Sequence, residues 1–420
     1  MSTLKTVEDF FVDSKKLIGK VVHAPNADPE THQVYYNGAE FHFIKMNALS
    51  IGCDNPLYID PVYATKSRYG MITALPTYLA TVRYTVARGA FGDYPISGLV
   101  AGADWEWNDV IRVNDRFVSS FVYEDVFQKV GRTGRLIFTK TLANYWNQHK
   151  ERVGTGHGHW IGVGREEAAE STTEGRGFSE TMIYERGTYH YSDEEIKEIV
   201  DAYDNEEIRG SMPRYWEEIN VGDKLLPIVK GPLTTQDLFN YHAQHEGLSH
   251  AGMSFGAAFR SHRRGDSLND VTGWPYEGGY WEHYDWSLCK CRGLPQPFDV
   301  GYSRAMHGAH FITNWMGDDA FLRRIYVQFR KPFYYGDTTW FNGEIVKKYK
   351  DKVGDLEYDA VDIKIIGTNQ IGELSAPGTA TVYLPSRGEP VELPIPHDDR
   401  YEDYEEYLKN CGEERKNPSV

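Results

Sequence analysis

Seven of the chain's 15 histidines fall between positions 242 and 310, at 242, 245, 250, 262, 283, 307 and 310. Imidazole exchanges its proton nearer neutral pH than any other unperturbed side chain, so this stretch is where acid–base chemistry is to be sought. Two spots pair an imidazole with a carboxylate: Gln244-His245-Glu246 and His283-Tyr284-Asp285. An imidazole and a carboxylate that converge on one water can deprotonate it and deliver the proton elsewhere. The i, i+3 pairs His242/His245 and His307/His310 also raise metal ligation. Neither has a matching third ligand close by, and no metal is expected. Cys53, Cys289, Cys291 and Cys411 form no CxxC pair and no disulfide framework, which fits a reducing compartment.

These residues need elements to position them. Thr234 or Thr235 caps a predicted helix over 235–244, which carries His242. A second helix is predicted over 304–316, with Ala305, Ala309, Ile312 and Met316 at helical spacing. Strands are predicted where β-branched and aromatic residues alternate, most clearly over 136–142 and 325–329, with hairpin turns at 129–134 and 350–355. The order of segments repeats. Asn55-Pro56-Leu57-Tyr58 and the Asn114-Asp115 turn recur as the His283 segment and the Gly336-Asp337 turn, at offsets of 225 residues (58 to 283) and 222 residues (115 to 337). A near-constant offset marks a duplicated unit. The division expected is a first half over 1–165, an acidic linker with one helix over 166–210, a second half over 211–386 and a charged tail over 387–420.

A length of 420 residues suits two to three domains. An aromatic share of 14%, including 29 tyrosines, favours sheet-rich structure. The net charge of −16 argues against a nucleic-acid partner, because phosphate neutralisation needs clustered Lys and Arg. No stretch of 18 apolar residues occurs and the N-terminus lacks a signal pattern, so no membrane partner and a cytoplasmic location are expected.

Several blocks together resemble the MaoC-like acyl-CoA hydratase/dehydratase family, in the form whose N-terminal domain is of dehydratase type. They are Asp54-Asn55-Pro56-Leu57-Tyr58-Ile59-Asp60, Gly102-Ala103-Asp104-Trp105, Arg214-Tyr215-Trp216, His283-Tyr284-Asp285, Asn314-Trp315-Met316-Gly317-Asp318 and Phe329-Arg330-Lys331-Pro332. The resemblance implies an α+β double hot dog, two antiparallel sheets each wrapped around a central helix. It also implies hydration or dehydration of a coenzyme A thioester, without a cofactor. Family hydratases use an Asp-x-Asn-Pro-x-His motif whose Asp and His hold the water. Here Cys53 and Tyr58 stand at those positions in the first half, which implies a catalytically degenerate copy. The second half keeps the imidazole as His283, with Gly278 in place of the acid.

The resemblance therefore points to His283 as catalytic acid/base, with Glu246 or His245 in the missing partner's role. Gly301 falls where helix-start N–H groups meet the thioester carbonyl, and Asp54, Asn55, Tyr58 and Arg330 complete the expected substrate contacts. The Gly-, Ser- and Arg-rich segment 249–279 is an insertion that suits a bulky acyl group. Two other readings stay open: a hot-dog thioesterase, and a non-catalytic acyl-CoA-binding or partner subunit. Two hot dogs in one chain already make the usual dimer, so a monomer or homodimer is expected.

Overall fold

The computed structural model describes residues 5–22, 37–87, 89–90, 94–131, 134–164, 187–245, 264–268, 273, 275–277, 283, 285–291, 294–396 and 401–416. Ten strands join in one antiparallel sheet. The first half supplies β1 (Val21–Val22), β2 (Ile96–Trp107), β3 (Val118–Gly131), β4 (Gly134–Trp146) and β5 (Arg152–Gly164). After β6 (Lys224–Lys230) and a small separate hairpin, β7 (Arg264–Leu268) with β8 (Pro275–Glu277), come β9 (Phe321–Gln328), β10 (Thr339–Val353), β11 (Leu356–Asn369) and β12 (Leu374–Tyr383). The order across the sheet is β1-β3-β4-β5-β2-β9-β12-β11-β10-β6. The second five mirror the first five, so the duplication seen in the segment order is a duplication of topology.

The halves meet at β2 and β9, where Gly102 to Glu106 pair with Gln328 to Arg324. Arg323 bonds Glu106 and the Trp107 carbonyl at 2.6 Å each, and Arg324 grips Asp104 with two bonds of 2.7 and 3.0 Å. Those arginines tie the seam together. The predicted strand over 136–142 lies inside β4, and that over 325–329 lies in β9 but for Phe329, one residue past its end. The β10–β11 turn narrows to Gly354 and Asp355, with Gly354 at φ +60°, a left-handed conformation that suits glycine.

The long central helix, Ser303–Met316, is buried on nearly all sides. Ala305, Ala309, Ile312 and Met316 face the core as their spacing predicts. A Cβ on Gly308 would stand 3.4 Å from Ile325 and Val327, so small residues at 305, 308 and 309 let the helix lie close on β9.

The first half's counterpart is much shorter, a 3-10 turn at Pro76–Tyr78 running into Leu79–Val82. Arg83 then turns extended, and the run Arg83 to Val86 lies directly on the sheet. Strand β5 permits this because Gly154, Gly156 and Gly158 alternate along one face. A Cβ at Gly158 would meet the Thr85 carbonyl oxygen at 2.2 Å, and one at Gly156 the Thr85 methyl at 2.5 Å. Gly158→Ala is accordingly expected to destabilise the protein by about 1–3 kcal/mol, the usual range for an overpacked interior. An urea-unfolding midpoint equal to wild type would show that the chain yields there at no cost.

Candidate functional site

The site is built on two segments that converge beside the start of the central helix. The first is helix Thr235–His245, begun by a box in which Thr234 N–H donates to Asp237 at 2.8 Å and Asp237 N–H donates back to the Thr234 hydroxyl at 3.3 Å. Its buried stripe is Leu238, Tyr241, His242 and His245. The second runs from His283 through the loop that carries Phe298, Asp299 and Gly301 into the helix at Ser303.

His283 is buried, and its Nδ1 lies 2.8 Å from the Phe298 carbonyl oxygen. A carbonyl only accepts, so Nδ1 of His283 carries a proton. His242 has the same arrangement, with Nδ1 2.8 Å from the Leu238 carbonyl. The two rings stand 5.3 Å apart, tilted by 44°, and Phe298 packs on His283 at 4.7 Å. Two imidazoles, each holding a backbone carbonyl through Nδ1–H, thus lie side by side.

The loop between His283 and the helix is fixed by Asp299. Its carboxylate accepts from Arg304 Nε at 2.6 Å, Arg304 Nη2 at 2.7 Å and the Phe333 N–H at 3.0 Å, all buried. Gly301 follows, with the Phe329 ring 3.1 Å from where its Cβ would be. Tyr302 seats the helix start on the first half. Its hydroxyl lies 2.9 Å from Thr85 Oγ1, and its ring centre lies 4.4 Å from that of Tyr84, tilted by 40°.

His245 does not take the partner role expected of it. Asn47 Nδ2 lies 2.9 Å from its Nδ1, and the Ser50 hydroxyl lies 2.9 Å from its Nε2. Both nitrogens are therefore used in pinning this helix to helix Phe41–Leu49 of the first half. Glu246 lies outside the described residues. The imidazole beside His283 is His242, which the sequence suggested only as half of an insufficient metal pair. The signal that locates it is the stripe itself, since 238, 241, 242 and 245 follow the i, i+3, i+4, i+7 pattern of one buried helix face.

Burial pushes the His245 pKa down to about 3, and burial likewise holds His307 and His310 well below the usual histidine value. These rings are neutral in the fold, whereas in the unfolded chain they take up protons below about pH 6.5. The unfolded state then binds more protons, so stability falls as pH drops from about 6.5 towards 3, by about 1.4 kcal/mol per pH unit for each such ring. Urea unfolding at pH 7.5, 6 and 5 is expected to show this loss, and His245→Gln to reduce the slope by about one proton. A stability flat across that window would contradict the assignment.

The remaining expected contacts are scattered. Asn55 is buried and caps the turn Pro56–Ile59, its Oδ1 accepting from the Leu57 N–H at 3.0 Å. Tyr58 is buried, with its phenol pushed well above the usual value by burial. Both line a cleft of about 460 Å³ beside Thr313 and Asp318, at the C-terminal end of the central helix. The His283 segment meets that helix at its other end, and a 14-residue helix is ~21 Å long. Asn55 and Tyr58 therefore do not share the His283 site. Asp54 and Arg330 are exposed, and Arg330 bonds the Ser375 carbonyl through its backbone N–H at 2.9 Å. Cys53 is buried and its thiol is pushed up to about 12, chiefly by desolvation, so it is no base. Among the described residues no three His, Cys, Asp or Glu side chains are grouped as metal ligands, and no helix is long and apolar enough to cross a membrane.

Residues 41–155 match the family model described as the FAS1-like dehydratase domain region. The fold is shared with a structure described as a MaoC-like dehydratase, at 15% identity and a TM-score of 0.57, over 88% of this chain and 99% of that one. A putative MaoC domain protein dehydratase from Chloroflexus aurantiacus J-10-fl is similar over 92% of this chain and 100% of its own, at 12% identity and a TM-score of 0.53. No curated protein matches the sequence.

Proposed function

We propose that this chain, a double hot dog resembling the MaoC-like dehydratases, is a hydro-lyase that adds water to a 2-enoyl-CoA or removes it from the 3-hydroxyacyl-CoA. The observation that carries the reading is the hold on His283. Its Nδ1–H sits on the Phe298 carbonyl, which fixes the ring, and we assign its Nε2 as the base.

On this reading Nε2 of His283 takes a proton from water as the water oxygen bonds to C3 of the enoyl group. The C2=C3 pair shifts towards the thioester, and the carbonyl oxygen becomes an enolate oxygen. The start of the central helix at Gly301 and Tyr302 supplies positive potential for it, since helix starts carry partial positive charge. The imidazolium of His283 then returns the proton to C2, giving the 3-hydroxyacyl ester. His242, its own Nδ1–H tied to Leu238, is the group we assign to hold the attacking water in place. The imidazole at 242 thus replaces the acid absent from the family motif. Arg330, exposed beyond β9, is the residue we assign to meet a phosphate of coenzyme A.

The test is incubation of the protein with straight, branched and aromatic 2-enoyl-CoA esters, followed by mass spectrometry. Gain of one water by the intact ester supports the reading. Release of free thiol without hydration means a thioesterase, and binding without any mass change means a ligand-binding hot dog.

A further inference from the structure

The loop that carries Phe298 is held by a segment 108 residues earlier in the chain. Residues 187–191, just ahead of helix Asp193–Asp204, bond the second half at two places. Thr188 Oγ1 donates to Gln296 Oε1 at 2.8 Å. Tyr191 Oη donates to the Gly336 carbonyl at 2.7 Å, and the same oxygen lies 2.8 Å from Thr338 Oγ1. A phenol has one proton to give, so the Thr338 hydroxyl is the donor in that second bond. Burial pushes the Tyr191 phenol up to about 12, and it keeps its proton at neutral pH.

Both anchors lead to the Phe298 carbonyl. Gln296 is 2% exposed and stands two residues before Phe298. The turn at Gly336 continues from Phe333 and Tyr335, and these grip the loop through the backbone. The Tyr335 N–H donates to the Pro297 carbonyl at 2.9 Å, and the Phe333 carbonyl accepts from the Asp299 N–H at 2.8 Å. Residues 296, 297 and 299 are thus each bonded to Thr188 or to 333–335, while the Phe298 carbonyl between them receives His283 Nδ1–H. Gly336 has φ +79°, and a Cβ there would stand 3.0 Å from the Thr188 methyl, so glycine serves both the turn and the close approach of 188.

We infer that Thr188 and Tyr191 are positioning residues for His283, holding the 296–299 loop so that the Phe298 carbonyl keeps the imidazole in place. Their bearing on the reaction rests on the hydro-lyase reading above, whereas their hold on the ring is measured without turnover.

The test uses the full chain with 15N-labelled histidine. The His283 Nδ1–H resonance is identified by its loss in His283→Gln, and its exchange with water is timed. Thr188→Val, which removes the hydroxyl of an exposed residue at nearly constant shape, is expected to speed that exchange about three- to tenfold with an unchanged urea midpoint, as loss of one hydrogen bond allows. Thr188→Ser is expected to exchange as wild type does, and Tyr191→Phe to behave like Thr188→Val. On a turned-over 2-enoyl-CoA, Thr188→Val is expected to lower kcat by about the same factor and to leave KM within about twofold. Exchange unchanged in the Val and Phe variants, exchange as fast in Thr188→Ser as in Thr188→Val, or faster exchange that only follows a lowered urea midpoint would each overturn the inference. A wild-type Nδ1–H that exchanges too fast to observe would do the same, because a held ring protects it. The expected exchange pattern in a protein that hydrates no ester would remove the hydro-lyase reading and leave the clasp standing.

Discussion

Replacing His283 with alanine is expected to lower hydration of a turned-over 2-enoyl-CoA by about 10²–10⁴-fold in kcat/KM, the usual worth of a positioned acid–base group. The side chain removed is buried, so the loss could come from a loosened loop instead of missing chemistry. Two measurements separate these. The variant should keep a cooperative unfolding transition, because Asp299 still fixes the loop through Arg304 and the Phe333 N–H. Added imidazole should restore part of the rate by entering the space the ring leaves, which it cannot do for a distorted backbone. His242→Phe should cost less, on the order of tenfold, if it only steadies the water. A His283→Ala enzyme with unchanged turnover would end the assignment.

Asp299→Ala should produce the largest loss of stability. Arg304 is buried in the first turn of the central helix, where the helix dipole already disfavours a cation. Without Asp299 its charge would stay buried, with the Ser375 carbonyl at 3.4 Å as its remaining hydrogen-bond acceptor among the described residues. Breaking one side of such a pair costs about 3–5 kcal/mol. The double variant Asp299→Leu with Arg304→Met removes both charges and should recover most of that, since a buried pair is worth little more than apolar groups of its size. Urea unfolding of the three variants checks the sign. A double variant no more stable than the single one would mean that the Asp299 bond to Phe333 N–H carries the effect.

The sequence disclosed the fold more readily than the site, for a physical reason. Strand and helix patterns are local, and β4, β9, helix Thr235–His245 and the central helix all follow from alternation, stripes and capping residues. The mirrored strand order shows itself as a repeat of segments. Sites depend on contacts between distant segments. Nothing near position 245 says that Asn47 and Ser50, almost 200 residues earlier, occupy both nitrogens of His245. Tyr58 and His283 fill the same place in the repeat, so they stand at opposite ends of one helix instead of in one pocket. The shortened helix of the first half was likewise not legible from 76–87, because what excludes it is the glycine face of β5.

That glycine face also makes the two halves unequal partners. A helix resting on a sheet needs side chains beneath it, and at 154, 156 and 158 there are none. The strip of chain laid there, Arg83 to Val86, brings Thr85 and Tyr84 up to Tyr302, so the first half serves as an anvil for the second half's helix. A chimera built from two copies of the second half would keep the strand order and lose that support. Conversely, lengthening the helix that ends at Val82 would fail unless the three glycines changed with it, so the asymmetry is written into β5.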